Sequence, residues 1–449
     1  MWSKSFLLFF ICNITFILAS LCLDRPDPLR LDYLERVSCP MVKENKTYSN
    51  SRRNTNMFNL TFTCGITDIS LCEKVKNAFE SAEQILSDAI MFNQFVNINA
   101  TFTNICVAYG ACTSISSGIE TQVIGGAGPS RVMMLKDDDG VYRFYPQSLV
   151  KQLGNKVHPK YSDYDINAIF NSEGVSYWFK GDGNIKSDQI DLEMVILHEL
   201  VHGLGFLTSL NDYMHDIPQG LTPYVVGIIN NSGSNYHFIE ATFDKYMSVV
   251  PTGQNVSDII KQMDVFNNIQ YSNQDNFTTT FLSSPQYNLA TDLFSKATKS
   301  NSLTILSGDD TIFLETSLTP FNSKSSISHF SSKKYTNTSD FLMRFSIERG
   351  KTLQQYVKMG GNYANGPIGP KLRAFLKSLG YTILDSTSNA QTSISTTISI
   401  IELIIWCMLT ISLTNIITSC FIEIDIFLYE KNNAFKILKL GSHLIGYSA

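Results

Sequence analysis

Cysteine is missing from most of this 449-residue sequence, since none occurs between Cys112 and Cys407. No two cysteines follow a C-x-x-C spacing, which argues against a zinc ion held by paired cysteine thiolates. Blocks rich in lysine or arginine are missing too, and the formal net charge is -5, so we expect no nucleic-acid partner. Charged residues make up 17% and hydrophobic residues 44%, a balance typical of a folded globular protein.

The N-terminus has the pattern of a signal peptide. Lys4 precedes an apolar run at residues 6–19, and Ser20 follows as a small residue near the expected cleavage point. We therefore assign residues 1–20 to a signal peptide. A short membrane anchor is the alternative, but the run is too short to span a bilayer comfortably.

Two further features fit an exported glycoprotein with disulfide bonds. Beyond the predicted signal peptide, acceptor sequons for N-glycosylation occur at seven positions: Asn45, Asn59, Asn99, Asn230, Asn255, Asn276 and Asn337. Six cysteines would allow three disulfides, whose connectivity the sequence leaves open: Cys22, Cys39, Cys64, Cys72, Cys106 and Cys112. Cys39 is also a candidate for an inhibitory thiolate in a pro-segment, although we favour a disulfide for it.

The C-terminus predicts attachment to a membrane. Residues 385–402 are rich in serine and threonine and form a predicted stalk, and residues 403–422 are uncharged and long enough for a transmembrane helix. Lysines in residues 423–449 fit a cytoplasmic tail. We therefore expect a single-pass cell-surface protein with an outward N-terminal domain, or a secreted protein if the span is removed. A lipid anchor is the alternative, but such signals normally end with the hydrophobic tail.

Hydrophobic periodicity predicts an α+β domain over residues 71–384. A helix is expected over residues 71–93, a half-buried strand over 96–103 and a closing helix that ends near Gly380. The remaining ranges are assigned to an irregular N-terminal segment or pro-segment (21–70) and to an inserted subdomain (206–325).

One short motif carries the candidate chemistry: His198-Glu199-Leu200-Val201-His202, the H-E-x-x-H pattern. Residues four apart lie on one face of a helix, so both imidazoles can bind one metal ion, for which zinc is the natural choice. Glu199 would lie beside the open position of that metal and act as the general base on a water molecule.

The ends of this helix are also predicted. Ser187 or Asp188 can cap its start, and Asp191 places negative charge in its first turn. Gly203 and Gly205 are expected to end it. An apolar helix with such ends favours a metal site over two histidines placed by chance.

With the residues that follow it, the motif resembles the metzincin clan of zinc peptidases. In that clan a glycine three residues after the second histidine lets the chain turn sharply, and Gly205 matches it. Thr208 stands where most metzincins have a third histidine, so the short-spaced subfamilies are disfavoured.

The leishmanolysin-like branch of metzincins has a distant third histidine followed by a methionine turn beneath the metal. His329 and Met343 match those two positions, and the resemblance continues into the ending Leu379-Gly380-Tyr381. It implies a zinc peptidase domain with a large insertion after the active-site helix, in which Zn²⁺ is bound by His198, His202 and His329.

Other side chains could complete the metal site instead. His215 lies nearer to the motif, and His237, Glu240 and Asp244 are further candidates. Glu240 would give a gluzincin-like set of two histidines and one carboxylate. We favour His329 because of the resemblance and leave the others open.

The predicted function is that of a zinc-dependent endopeptidase acting on extracellular or cell-surface proteins, with Glu199 as its catalytic residue. The resemblance also implies that the strand at residues 177–179 pairs with an extended substrate. The alternative function is a catalytically silent, zinc-stabilised adhesion or receptor ectodomain. The presence of Glu199 argues against it, because a structural metal site needs no general base.

Overall fold

Helices and strands alternate along the part of the chain described by the computed structural model, residues 21–30, 33–44, 56–110, 113–116, 119–230, 233–265 and 270–384. The helices are α1 (Ile69–Ala89), α2 (Ile105–Tyr109), α3 (Gln147–Val150), α4 (Leu192–Gly203), α5 (Val256–Met263), α6 (Gln274–Leu282), α7 (Tyr287–Ala297), α8 (Ser332–Tyr335), α9 (Leu353–Met359) and α10 (Pro370–Leu379). A 3₁₀ turn covers Asp244–Tyr246.

The strands of the first half are β1 (Leu21–Asp24), β2 (Glu35–Ser38), β3 (Met41–Lys43), β4 (Phe58–Cys64), β5 (Ile90–Met91), β6 (Val96–Thr103), β7 (Thr113–Ser116), β8 (Ile119–Gln122), β9 (Gly125–Pro129), β10 (Arg131–Lys136), β11 (Tyr142–Pro146), β12 (Val157–Pro159), β13 (Ile166–Asn171), β14 (Tyr177–Trp178) and β15 (Ile190–Asp191). Those of the second half are β16 (Tyr224–Asn230), β17 (Gly233–Ile239), β18 (Met247–Val249), β19 (Gln254–Asn255), β20 (Leu303–Ser307), β21 (Asp310–Phe313) and β22 (Thr382–Ile383).

The sheet that positions the candidate site has the strand order β4-β6-β13-β9. β4, β6 and β13 are parallel to one another, and β9 runs antiparallel to β13 at one edge. In β6 every second residue is buried, as its alternating sequence predicts, because successive side chains point to opposite faces of a strand. The predicted strand at residues 96–103 is confirmed, and the protein contains both helices and strands, as expected for an α+β class.

Helix α1 packs against α4 and buries one apolar face, which includes Val75, Phe79 and Leu86. The Asp68 side chain caps it by accepting a hydrogen bond from the Leu71 N–H. The helix ends at Ala89 rather than near residue 93, because β5 pairs antiparallel with β22 near the C-terminal end of the described chain. This long-range pairing overrides the helical periodicity that led to the longer prediction.

A carboxyl group is buried in α1, and it makes stability depend on pH. Burial raises the pKa of Glu83 to about 7 from an ordinary value of 4.5. Its Oε2 accepts a 2.9 Å hydrogen bond from Asn56 Nδ2, whereas Oε1 has no partner among the described residues. The folded chain therefore keeps a proton that the unfolded chain releases, and stability present at low pH is lost as the pH rises from about 4.5 to about 7.

We expect Glu83→Gln, which is uncharged and of similar shape, to raise the free energy of unfolding at pH 8 by about 1–3 kcal/mol. The same variant should be nearly neutral at pH 4, where the wild-type carboxyl is protonated. Urea unfolding at both pH values measures the difference. Glu73→Gln on the exposed side of the same helix is the matched control, and a Glu83→Gln effect that is the same at both pH values would contradict the prediction.

The N-terminal segment is not irregular, which corrects the interpretation of residues 21–70. β1 lies inside a second sheet of order β11-β10-β1-β2, and β4 forms an outer strand of the main sheet. The prediction failed because polar residues occupy the exposed face of β4. They alternate with the less exposed residues, so the strand has no continuous apolar run that its sequence would reveal. Residues 45–55 of this segment lie outside the described ranges.

Disulfides hold this N-terminal part together. Cys22 is bonded to Cys39, and Cys64 is bonded to Cys72 at the start of α1. Cys106 is disulfide-bonded as well. The disulfide role favoured for Cys39 is confirmed, and an inhibitory thiolate at Cys39 is not available in this bonded state.

The region assigned to an inserted subdomain, residues 206–325, contains the β16–β17 hairpin, helices α5 to α7 and a sheet of order β19-β18-β20-β21. Its side chains share the main hydrophobic core, because Phe243 packs against both Phe206 and Phe375 at ring-centre distances of 5.1 and 5.2 Å. Described residues on both sides of this region therefore belong to one packed unit that ends at Leu384.

Several predicted segments lie outside the described residues: the signal peptide (1–20), the stalk (385–402), the transmembrane helix (403–422) and the cytoplasmic tail (423–449). Within the ranges that the structure describes, every helix is too short or too polar to cross a bilayer.

Candidate metal centre

Helix α4 carries the H-E-x-x-H motif, and its start differs from the prediction. The cap is Asp191, whose side chain accepts hydrogen bonds from Glu193 N at 3.1 Å and from Leu353 N at 2.7 Å. Ser187 and Asp188 cannot cap the helix, because the chain stays extended through β15, which pairs with β14. Because of this strand pairing, which no local sequence pattern shows, the helix begins a few residues later than predicted.

The end of α4 agrees with the prediction. Gly203 is the last helical residue, and Gly205 has φ +108°, a conformation that favours glycine. A Cβ at Gly203 would lie 2.6 Å from the Ile166 side chain in β13, so the helix can approach the sheet only with glycine there. The two glycines therefore serve both the close helix–sheet contact and the turn that follows.

Three imidazole rings meet at one point. His198 and His202 come from α4, and His329 comes from the segment between β21 and α8. Their Nε2 atoms lie 3.1 Å apart for the pairs His198–His202 and His198–His329, and 3.2 Å apart for His202–His329. The structure thus brings together the three residues that the sequence singled out as metal ligands, and all three are buried.

Each ring is oriented by a backbone carbonyl at its other nitrogen. His198 Nδ1 lies 2.7 Å from Leu342 O, His202 Nδ1 lies 2.6 Å from Phe206 O and His329 Nδ1 lies 2.9 Å from Ser325 O. Because a carbonyl only accepts, each Nδ1 carries the proton and each Nε2 presents a lone pair. Three lone pairs that face one another repel unless a cation lies between them.

The protonation states and distances fit a divalent metal. Burial lowers the pKa of His198 to about 4 and that of His202 to about 3, and it lowers the pKa of His329 well below its ordinary value. All three rings are therefore neutral near pH 7, the form that binds metals. Nitrogens bound tetrahedrally to one zinc ion at about 2.0–2.1 Å lie about 3.3–3.4 Å apart, which the three rings nearly match.

Glu199 lies beside this centre and partly faces the cleft. Its Oε2 accepts a 2.8 Å hydrogen bond from the Ala127 N–H of β9, which holds the carboxylate in place. Burial raises the pKa of Glu199 to about 7, and the Ala127 bond opposes that rise. A carboxylate with such a pKa can accept a proton from water and return it, which general acid–base catalysis requires.

The segment that follows His329 aligns two of the histidines. Phe330 N donates to Met343 O at 2.7 Å, and the neighbouring Leu342 O accepts the His198 ring. Met343 itself is fully buried in the main core. The carbonyl at residue 342 and the bond to residue 343 therefore tie the His329 segment to α4.

The alternative third ligands are held elsewhere. His215 Nδ1 contacts Asp212 Oδ2 at 3.0 Å, and Glu240 accepts hydrogen bonds from Arg143 and Ser257. The other two are His237, which is half-buried in β17, and Asp244, whose carboxylate accepts the Ala241 N–H. Within the described part of the chain, none of these four candidate ligands belongs to the three-histidine group.

A cleft of about 510 Å³ opens above the centre. One wall is the edge strand β9, with Gly125, Gly126 and Ala127, and the floor is formed by the three histidines and Glu199. Sequence reasoning missed this wall, although the run Gly125-Gly126-Ala127-Gly128 was a usable signal. A Cβ at Gly125 would lie 2.7 Å from the backbone carbonyl oxygen of Ile169, so this wall needs a residue without a side chain at that position.

The strand at residues 177–179 does not have the position expected of a substrate-binding edge. Tyr177 is buried, its hydroxyl donates to Asn171 O at 2.7 Å, and β14 pairs with β15. None of residues 177–179 lines the cleft. Residues 177–179 therefore lie away from this cleft, and β9 is the edge strand beside the centre.

Fold and site together define a protein of mixed helices and strands with three histidines and a glutamate at the floor of an open cleft. The chain belongs to the SPBPB7E8-like family, whose model matches residues 34–402. It is similar to the Schizosaccharomyces pombe protein named "Uncharacterized protein PB7E8.01", with 30% identity over 386 residues. The match covers 77% of this chain and 66% of that protein, so the chain spans a little less than two thirds of the length of its relative. No solved structure matches the chain.

Proposed function

We propose that this protein is a zinc-dependent endopeptidase of the metzincin type, close to the leishmanolysin-like branch. One observation carries the proposal: three neutral imidazoles converge through Nε2 at the floor of an open cleft, with the Glu199 carboxylate beside them. The distant third histidine and the methionine segment that follows it are the features that favour this branch.

Each residue of the site would have its own role in the reaction. His198, His202 and His329 would hold zinc, which when bound lowers the pKa of a water molecule and polarises a peptide carbonyl. Glu199 would accept the proton of that water and pass it to the leaving amine. The Ala127 N–H would keep the Glu199 carboxylate turned toward the reacting atoms.

The shape of the cleft supports an extended peptide as substrate. Among the described strands β9 pairs with β13 on one side only, so its opposite edge, beside the centre, has no strand partner. An extended chain can add to such an edge through main-chain hydrogen bonds. Substrates would thus be unfolded or loop segments of proteins, as expected of an endopeptidase.

The alternative, a silent zinc-stabilised ectodomain, accounts less well for this site. Structural zinc sites usually have four protein ligands and are closed. Here the metal-binding group of the described residues has three histidines, it opens into the cleft, and a carboxylate lies beside it. Those are the features of a catalytic site, in which one position is left for water or substrate.

Metal removal tests the proposal. The ectodomain purified without chelators is expected to contain about one zinc ion per chain. Dialysis against a chelator should abolish cleavage of a denatured protein substrate, and added zinc should restore it. Metal content by atomic emission and cleavage by electrophoresis are the two measurements. Zinc at full stoichiometry without any cleavage would support the silent ectodomain instead.

We also propose that the domain is exported and tethered to the cell surface by its C-terminal span. The disulfides Cys22–Cys39 and Cys64–Cys72 support export, because such bonds persist in the secretory pathway and not in the reducing cytosol. β1 begins at Leu21, immediately after the predicted signal peptide, so removal of residues 1–20 would leave the described fold intact.

A further inference from the structure

We propose that the cleft contains a carboxylate-binding subsite formed by Arg344 and Arg349, so that preferred peptides carry an acidic group near the scissile bond. This inference rests on the proposed peptidase function and names its substrate class. The observations behind it are an incompletely paired buried guanidinium in the cleft wall and the charge of the residues that line the cleft.

Arg344 is the central residue of this subsite. It lines the cleft, is 3% exposed and follows the segment that contacts His198. Its Nε donates to Phe341 O at 3.1 Å and its Nη1 donates to Thr336 Oγ1 at 2.8 Å, but Nη2 has no partner among the described residues. A buried N–H group without an acceptor is costly, and a carboxylate is the acceptor that best matches a guanidinium.

The nearby carboxylate of Glu348 does not accept a hydrogen bond from Arg344 Nη2. Glu348 lies 3.6 Å from Arg344 Nη1, but its carboxylate is 43% exposed and is held by Lys351 at 2.5 Å. The Glu348 carboxylate therefore satisfies Nη1 only weakly and does not reach Nη2. Arg344, a residue of the cleft lining, therefore keeps one buried N–H without an acceptor among the described residues.

The charge of the cleft favours the same ligand. Its lining includes three basic side chains, those of Lys324, Arg344 and Arg349, against one carboxylate, that of Glu199. Lys324 and Arg349 are exposed at the rim, and Arg349 uses one N–H to bond Asp188 O at 2.7 Å. In a cleft with low-dielectric walls such an excess attracts anions and repels basic peptides.

Two kinds of carboxylate have this chemistry, the side chain of aspartate or glutamate and the C-terminal carboxylate of a short peptide. Four fluorescent peptides of one sequence separate them. They carry Glu or Gln beside the scissile bond, each with a free or an amidated C-terminus. We expect kcat/KM to fall by about tenfold or more from Glu to Gln, because a charge-assisted hydrogen bond is lost. A dependence on the free C-terminus alone would identify the terminal carboxylate as the ligand.

Arginine variants locate the subsite. Arg349→Gln should raise KM for the Glu peptide more than for the Gln peptide, and Arg344→Lys should reduce the Glu/Gln ratio while keeping the positive charge. Arg36→Gln is the matched control, because Arg36 is also exposed and also donates one 2.7 Å bond to a backbone carbonyl, that of Gly227, away from the cleft. Circular dichroism checks that Arg344→Lys is folded.

Binding separates this inference from the proposed function. Fluorescence anisotropy with the Glu199→Gln protein measures affinity for the four peptides without cleavage. If the Glu peptide binds at least about tenfold more tightly than the Gln peptide and Arg349→Gln removes the difference, the subsite stands even if wild type cleaves nothing. Equal binding of all four peptides, or a difference that survives both arginine variants, overturns it.

Discussion

Glu199→Gln is expected to lower kcat for peptide cleavage by about 10³-fold, with little change in KM or in zinc content. Glutamine keeps the shape of the side chain and can still accept the Ala127 N–H, but it cannot take a proton from water. The loss should therefore fall on the chemical step and not on folding or substrate binding. Steady-state kinetics with a fluorogenic peptide, together with metal analysis of the same sample, measures both quantities.

Glu193→Gln is the matched control for this experiment. Glu193 lies on the same helix, accepts a hydrogen bond from Ser81 Oγ at 2.8 Å and is not one of the described residues that line the cleft. Its replacement should leave kcat within about twofold of wild type, since surface and partly buried changes of this kind act mainly on stability. A Glu199→Gln protein with wild-type kcat would show that another group acts as the base.

His329→Ala is expected to lower zinc affinity by more than about 100-fold, because even the loss of an outer hydrogen-bond partner of a ligand costs about 10- to 100-fold. Two histidines of α4 would remain, too few to hold the metal firmly. Activity should be lost at zinc concentrations that saturate wild type. Competition with a chromogenic chelator gives the affinity, and thermal unfolding with and without zinc gives an independent measure.

The expected stabilisation by zinc follows from its concentration relative to its Kd. Zinc at about 100 times its Kd adds about 2.7 kcal/mol to the stability of a protein that binds it only when folded. Wild type should show this gain and His329→Ala should not. His215→Ala is the control, since His215 is bound to Asp212 outside the centre. If His215→Ala lost zinc and His329→Ala kept it, the assignment of the third ligand would be overturned.

The elements that could be predicted are those whose burial follows a short local period. β6 alternates in single residues, and α10 has apolar residues at helical spacing before Gly380, whose φ is +120°. Both are present at the expected positions. In each case the sequence pattern and the packing agree, because one face of the element meets the core and the other meets solvent.

The elements that were misjudged depend on distant partners. The N-terminal segment was expected to be irregular, yet β1 lies between β2 and β10, and β10 is more than a hundred residues further along the chain. The cap of α4 was placed too early because β15 pairs with β14. Strand pairing of this kind depends on which strand edges are unpaired in the folded chain. The sequences of short polar strands contain little information about it.

The sequence by itself determined the local half of the centre. His198, Glu199 and His202 lie on one helix, and the helical repeat alone brings two imidazoles to one face with the carboxylate beside them. Only the tertiary structure decided the other half: His329 arrives from 127 residues away, Leu342 O orients His198, and the Ala127 N–H holds Glu199. The reason is physical, since a periodic pattern acts over one or two turns, whereas these contacts exist only once the sheet, the helix and the His329 segment have packed into one core.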